Sequence, residues 1–382
     1  MFFSQLLILN FGPQHPAAHG VLRLILQLNG ELIVNCDSQI GFLHRSTEIL
    51  CEFKEFYKCT LYFDRLDYTS ILTQTHAFCL GIEKFYFYSF VSWYCKSVRV
   101  IFAELARILN HLLAISTHSL DIGNMIPLFW AFEEREHILF LFEYVSGARM
   151  HTGFFRPFYL NLVQFNYIFF LNLFFFCNLC NRTITELFLL LNNNKFWKKR
   201  LINVGIFSSD VLFNFSASGP IGRSGALIND LRKSLELSYE NYLFLNFYCY
   251  FGINGDCFDR FLIRIYELFE SLLIIYQLSF NFIKLYNTIF KFKFIFNNLY
   301  FLLKKYYFLL NTINFNDSYV ESGKGFFGVS IYKINTKLFK CRIRSPAFFH
   351  LNLLQAQLKN CWLADLITII GSQDLVFGEI DR

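Results

Sequence analysis

The chain has 382 residues, a length that suits one large domain or two or three smaller ones. Its formal net charge is +6, and no basic stripe with interleaved aromatic residues appears, which argues against nucleic-acid binding. Apolar residues make up 54% of the sequence, and phenylalanine alone occupies 51 positions. This bias favours either a membrane protein or a soluble core subunit encoded by a compositionally skewed genome.

Two histidines stand in a proline- and glycine-rich stretch near the N-terminus, residues 10–24. Because Pro13 and Pro16 fix φ and remove backbone donors, we expect His15 and His19 in a rigid loop rather than in a helix. Imidazole changes its charge near neutral pH, so this loop is a candidate for proton handling. The alternative is that both histidines only bond to neighbouring backbone groups.

Apolar periodicity and turn residues predict the other elements. A β-hairpin around Asn29-Gly30 joins strands at 21–28 and 31–35. A second strand signal lies at 329–334, and helices are predicted from after Tyr68 to about 88, at 97–116, from 130, from 261 to about 307, and at 350–370.

Charged residues on the helix predicted at 97–116 are spaced three and four positions apart. Glu104, Arg107 and His111 should therefore form an internal ion-pair ladder. Asp121 follows the point where that helix breaks, and one interpretation is that it caps the next helix.

Residues 157–181 contain no charged side chain, and their length would allow a membrane span. Asparagine and glutamine side chains interrupt the segment, and each amide is costly in lipid unless it is paired. We therefore expect a buried or interface helix. The same segment holds Cys177 and Cys180, the one close pair among the eleven cysteines. Without a second pair, buried thiols are a better interpretation than a metal site, and the odd count favours a reducing compartment.

The motif at 10–23 (Asn-Phe-Gly-Pro-Gln-His-Pro-Ala-Ala-His-Gly-Val-Leu-Arg) resembles, residue for residue, the N-terminal motif of the quinone-site core subunit of respiratory complex I. This family comprises NADH dehydrogenase subunit 7 of mitochondria and its bacterial counterparts, and it is related to the large subunit of nickel-iron hydrogenases. The resemblance covers nearly the whole chain and is weakest at 158–200 and 265–320. Further similar blocks lie at 43–48 (with Ser46 in place of the usual glycine), 63–68, 145–151, 219–225, 341–346 and 371–382.

The resemblance implies an α+β fold like that of the hydrogenase large subunit without its nickel site. Its parts would be an N-terminal β-hairpin region with the quinone-site loop at 1–62, a bundle of long helices at 63–320, and C-terminal strands, helix and tail at 321–382. We expect these to form one structural unit, because no Pro/Ser-rich linker separates them.

The resemblance also implies the residues of a quinone site. Tyr68 would hydrogen-bond the quinone headgroup, with His15 and His19 in the facing loop. Tyr68 and His19 would supply the two protons, and Asp121 would pair with His19 and raise its pKa.

Three further residues would lie near the partner's terminal iron–sulfur cluster by the same resemblance: Arg45, Arg65 and His151. A salt bridge to Glu48 is the alternative for Arg45. Hydrogenases carry nickel-binding cysteine pairs at positions that correspond to 67–70 and to the C-terminal tail. Neither stretch contains cysteine here, so we expect no nickel.

The implied function is a core subunit of the matrix arm of NADH:ubiquinone oxidoreductase, coupled to proton translocation and inactive alone. Ubiquinone would be the substrate, and a 4Fe-4S cluster would be held by the partner. The other partners would be matrix-arm subunits and the membrane-arm subunit at the quinone entry, on the matrix side of the mitochondrial inner membrane. Since no targeting segment precedes residue 10, we expect an organellar gene. The alternatives are a hydrogenase-type metalloenzyme and an integral membrane scaffold spanning at 157–181.

Overall fold

The computed structural model describes residues 6–13, 21–85, 91–158, 160, 165–234, 239–288, 314–334 and 337–382. His15 and His19 lie outside the described residues, as does the end of the helix predicted to reach 307. The described chain is mixed α+β, with a largely helical core and two small antiparallel sheets, which confirms the predicted fold class.

The N-terminal sheet has three antiparallel strands in the order β1-β2-β3. Alternate residues of the central strand, Leu24, Leu26 and Leu28, are buried against the core. Asn29 pairs with Leu32 across the turn, which confirms the predicted hairpin. The strands are β1 (Leu7–Phe11), β2 (Arg23–Asn29) and β3 (Leu32–Gln39).

The longest helices pack into a bundle in the centre of the chain. α4 is buried along most of its length and contacts both α5 and α10, while α6 packs along α10. The helix predicted at 97–116 is longer than expected, because the Ser92 hydroxyl accepts from the Cys95 amide (3.2 Å) and caps an earlier start. The helices up to this bundle are α1 (Thr47–Phe53), α2 (Phe56–Phe63), α3 (Ile71–Lys84), α4 (Trp93–Asp121), α5 (Ile126–Ser146), α6 (Tyr167–Asn192), α7 (Lys195–Leu201), α8 (Ser209–Asn214), α9 (Gly219–Ser224) and α10 (Cys257–Thr288).

The C-terminal part consists of a second sheet and three helices. Its strands are β4 (Asn314–Glu321), β5 (Phe326–Ile334) and β6 (Lys337–Arg344), antiparallel in that order. The single helix predicted at 350–370 is wrong, since two helices occupy the region: α11 (Pro346–Gln357) and α12 (Leu363–Gln373), followed by α13 (Phe377–Asp381).

The break between α11 and α12 has a tertiary cause. Asn360 has a left-handed φ of 63°, and its amide donates to the Ile33 carbonyl (2.8 Å). The Ile33 amide in turn donates to the Cys361 carbonyl (2.9 Å). The linker therefore pairs with β3 rather than continuing the helix, a contact that helical periodicity does not encode.

Helix α6 begins later than predicted, at Tyr167, because the Asn166 side chain accepts from the Phe169 amide (2.9 Å). Within the described residues, α6 is long and apolar enough to cross a membrane. Of its most apolar 18 residues, 33% are buried against the rest of the chain. One face packs on α10, and Ile168, Phe175 and Leu179 are exposed on the other. That α6 lies at an interface with a partner stays a prediction.

One cluster of buried apolar residues runs from Phe11 in β1 to Ile380 in α13. All three predicted parts of the chain contribute to it. The boundaries placed after 62 and 320 stay predictions.

A network of buried ions lies between α4, α9, α10 and β4. The predicted contact between Glu104 and Arg107 is present at 3.1 Å, and His111 joins them through Glu267, whose carboxylate lies 2.9 Å from His111 and 3.8 Å from Arg107. Helix α10 brings Glu267 to this position from a distant part of the sequence. The network comprises Glu104, Arg107, His111, Arg223, Asp230, Arg232, Glu267 and Glu321.

Candidate functional site

Tyr68 stands in the short loop between α2 and α3. The Asp67 carboxylate organises this loop by accepting from the amides of Thr69 (3.1 Å) and Ser70 (3.4 Å). Both neighbours of Tyr68 are buried, while its own side chain is only partly buried. The loop thus places one phenol between the interior and the surface.

A buried lysine lies behind this loop. Lys324, at the turn between β4 and β5, donates to Asp67 (2.9 Å) and to the Thr69 hydroxyl (2.8 Å). The Thr69 hydroxyl is also 2.6 Å from the side-chain oxygen of Asn110 on α4. The negative charges around Lys324 raise its pKa above the ordinary range, so it is a cation at neutral pH.

The C-terminal tail adds two carboxyls to the same region. Asp374 accepts from the Asn110 amide group (2.9 Å), and Glu379 accepts from the Gln74 amide group (2.8 Å). Burial raises the pKa of Glu379 to about 8, with Asp67 adding to the effect and Lys324 opposing it. Burial also raises the pKa of Tyr68, which keeps the phenol protonated at neutral pH.

Two of the residues predicted near the partner's cluster, Arg65 and His151, both lie next to Asp64: Arg65 follows it in the chain and His151 bonds to its backbone. Nδ1 of His151 donates to the Asp64 carbonyl (3.0 Å), and the Asp64 carboxyl accepts from the Gly153 amide (2.7 Å) and from Thr75. Burial raises the pKa of Asp64 to about 6, although these hydrogen bonds oppose the shift. Arg65 is exposed and donates to the Leu61 carbonyl (2.7 Å).

Arg45 is exposed on a loop that the C-terminal tail holds in place. The Asp381 carboxylate accepts from the amides of Gly41 (2.9 Å) and Leu43 (2.7 Å). Among the described residues the ion pair to Glu48 is made by Arg382 (3.4 Å) and not by Arg45. The salt bridge to Glu48 considered for Arg45 is therefore wrong.

Asp121 is the last residue of α4 and is partly exposed. The interpretation that it caps the next helix is wrong, because α5 begins after Met125. Its carboxylate lies beside His118 and Gly371, the latter on α12. A surface cleft of about 370 Å³ opens next to it, with Ile122 in its wall. Its predicted partner, His19, lies outside the described residues, so that pairing stays a prediction.

Three residues at the Tyr68 site were missed by sequence reasoning: Lys324, Asp374 and Glu379. Asp374 and Glu379 lie in the tail block at 371–382 that resembles the family, and Lys324 lies in the Gly-Lys-Gly turn at 323–325, but nothing local distinguishes the three from solvated charges. Only the folded chain brings them to Tyr68.

No group of three or more His, Cys, Asp or Glu side chains within the described ranges is placed to hold a metal ion. Cys177 and Cys180 are buried on α6, and burial raises the pKa of Cys177 to about 12, so it is a neutral thiol. The residues at 67–70 and in the tail supply carboxyls instead of thiolates, and Lys324 of the β4–β5 turn pairs with one of these carboxyls, Asp67.

Comparison with known proteins identifies the family of this architecture. Residues 121–382 match the family model described as respiratory-chain NADH dehydrogenase, 49 Kd subunit. The NADH-ubiquinone oxidoreductase 49 kDa subunit of Nyctotherus ovalis is 44% identical over 389 residues, which cover 99% of this chain and 94% of that protein. The subunits of the same name from Paramecium tetraurelia and Acanthamoeba castellanii are each 44% identical, and the matches cover 98% of this chain and 98% and 95% of those proteins. The chain therefore belongs to the family of the 49 kDa core subunit of the respiratory-chain NADH dehydrogenase, complex I.

Proposed function

We propose that this chain forms the quinone-binding and reduction site of NADH:ubiquinone oxidoreductase together with a cluster-bearing neighbour. The observation that supports this role is Tyr68, a partly buried phenol between the buried residues Asp67 and Thr69, in a loop that rests on the Lys324 cation. Such a group can reach a ligand on its outer side while its protonation is controlled from the inner side. The chain works as part of the oxidoreductase complex, and its ligand is ubiquinone.

Reduction of a quinone to a quinol consumes two electrons and two protons. In this proposal the Tyr68 hydroxyl donates one proton, since its raised pKa keeps it protonated until the quinone oxygen becomes basic. Lys324 then stabilises the phenolate that remains. His19 supplies the second proton, and Asp121 orients and recharges His19, while His15 borders the headgroup in the same loop.

The described residues suit a neighbour's iron–sulfur cluster rather than one of their own. Arg45 and Arg65 are exposed guanidiniums, which cannot ligate iron but can stabilise added negative charge across an interface. His151 is partly exposed and is held by Asp64. The 4Fe-4S cluster held by the neighbour would supply the electrons, and these three residues would lie beside it.

We place the chain at the mitochondrial inner membrane, in the peripheral arm on the matrix side. Its partners in this proposal are the cluster-bearing subunit, other matrix-arm subunits and the membrane-arm subunit at the quinone entry. The exposed apolar side chains of α6 and of α5, such as Phe129 and Phe140, suit contact with such partners.

Replacing Tyr68 with phenylalanine tests the function. In the assembled complex we expect inhibitor-sensitive NADH:quinone reductase activity to fall on the order of 10²-fold, the usual contribution of a proton donor. NADH:ferricyanide reductase activity, which bypasses the quinone, should be unchanged.

Tyr62→Phe is the matched control, because Tyr62 lies on α2 and its hydroxyl contacts Lys54 at the surface. It should keep both activities. Full quinone activity in Tyr68→Phe would show that the tyrosine only packs.

The second candidate function is an integral membrane scaffold, which the length and composition of α6 favour. Extraction of the source membranes with alkaline carbonate separates the two. A peripheral subunit is released, whereas a chain anchored by α6 stays with the membrane. Retention of the chain under conditions that release known peripheral subunits would favour the scaffold.

A further inference from the structure

Behind Tyr68, three segments of the chain meet in a cluster of charges. The α2–α3 loop supplies Asp67, the β4–β5 turn supplies Lys324, and the tail supplies Asp374 and Glu379. Asp67 and Glu379 are 0% exposed and Lys324 is 3% exposed. Two fully buried carboxyls, with the partly buried Asp374 beside them, thus lie around this lysine.

The three carboxyls differ in how many cations and hydrogen-bond donors face them. Lys324 bonds directly to Asp67, and Asp374 is faced by Arg135 and Arg264 as well as bonding to Asn110. Glu379 bonds to an uncharged amide, that of Gln74. An ionised carboxylate buried in such surroundings is costly, so Glu379 is the group that takes a proton.

The hydrogen bonds of Glu379 indicate the same. Within the part of the chain that the structure describes, its Oε1 accepts no hydrogen bond. A buried oxygen without a donor is relieved by protonation. The charges that face Glu379 are Asp67, Asp374 and Lys324, with Gln74 and Tyr68 as its uncharged polar neighbours, and their sum leaves it protonated at pH 7.

We propose that Glu379 is the donor that returns a proton to Tyr68 after each quinone reduction, through the hydrogen-bonded group of Lys324, Asp67 and Thr69. This inference rests on the proposed function of Tyr68. It assigns to the C-terminal tail the task of reprotonating Tyr68 from the interior side.

The step balances in protons and moves no electrons. The O–H bond of Tyr68 breaks and its proton goes to the quinone oxygen, which has received electrons from the neighbour's cluster. The O–H bond of Glu379 then breaks, an O–H bond forms on the Tyr68 phenolate, and Glu379 is left as a carboxylate. Because burial raises the pKa of Tyr68 above its usual range while that of Glu379 is about 8, this transfer is favoured. Solvent protons reload Glu379.

The first test is the pH profile of quinone reductase activity in the wild-type complex, normalised to ferricyanide activity. The fraction of Glu379 that carries a proton falls about tenfold between pH 7 and pH 9 for a pKa of about 8, and the activity should fall with it. A flat profile over this range overturns the proposal.

Glu379→Gln removes the proton but keeps the shape and the neutral charge. We expect quinone activity at pH 7 to fall about tenfold or more and to become independent of pH between 7 and 9. Glu321→Gln is the matched control: Glu321 is equally buried and burial raises its pKa to about 7, but it pairs with Arg223 away from Tyr68. Its profile should keep the alkaline decline.

Gln74→Met serves if Glu379→Gln does not assemble. The Gln74 hydrogen bond lowers the pKa of Glu379, so its loss should move the alkaline decline of quinone activity to higher pH. If the alkaline decline of quinone activity stays at the same pH in Gln74→Met, the proposal is overturned. It is also overturned if Tyr68→Phe abolishes quinone activity while Glu379→Gln keeps the activity and pH profile of the wild type. If Tyr68→Phe itself retains quinone activity, the proposed function fails and this inference fails with it.

Discussion

Replacing Arg223 with methionine should destabilise the chain by about 3–5 kcal/mol, the cost of removing one partner from a buried ion pair. Arg223 is 2% exposed and donates to Glu267 (2.5 Å) and Glu321 (3.0 Å). Methionine fills much of the same volume but leaves both carboxyls without their shared cation.

The loss should grow with pH. Burial already raises the pKa of Glu321 to about 7, with Arg223 opposing the rise, so removing Arg223 raises it further. A carboxyl whose pKa is higher in the folded than in the unfolded chain contributes its stability below the unfolded pKa and loses it as the pH rises through the folded pKa. The variant should therefore be least stable at alkaline pH.

Hydrogen exchange of the α9 and α10 amides in the assembled complex measures this effect. The control is Arg149→Met, which removes an exposed ion pair with Glu136 and should change stability by less than about 1 kcal/mol. Equal protection of α9 and α10 in both variants would contradict the structural role given to Arg223.

Replacing Gly219 with alanine should cost about 2–5 kcal/mol from two sources. Gly219 has φ +65°, a left-handed conformation that costs an alanine about 1–2 kcal/mol. A Cβ there would also lie 2.5 Å from the Lys324 carbonyl and 2.6 Å from the Gly325 Cα, and such overpacking costs about 1–3 kcal/mol. Since the crowded turn carries Lys324, quinone activity should fall as well.

Gly147→Ala separates the two sources. Gly147 ends α5 with φ +78°, and a Cβ there meets no atom within 4 Å, so only the backbone cost applies. We expect the midpoint of thermal inactivation of the complex to fall more in Gly219→Ala than in Gly147→Ala. If the midpoint falls equally in both variants and both keep quinone activity, the turn at Lys324 accommodates the added methyl group and the expectation is wrong.

The sequence by itself determined the features that depend on near neighbours. The Asn29-Gly30 turn specified the hairpin, and the apolar stripe at 97–116 specified α4, because turn chemistry and helical periodicity act over a few residues. The family motifs likewise pointed to Tyr68, Arg65 and His151, and the structure places the last two together at Asp64.

The tertiary structure alone decided which charges meet. Lys324 bonds to Asp67 across 257 positions of sequence, and Glu379 bonds to Gln74 across 305. The same holds for the break between α11 and α12, which exists because the linker pairs with β3. In each case a buried polar group is satisfied by a distant partner, and its energy depends on the dielectric surroundings and geometry of the folded core, which local sequence patterns do not contain.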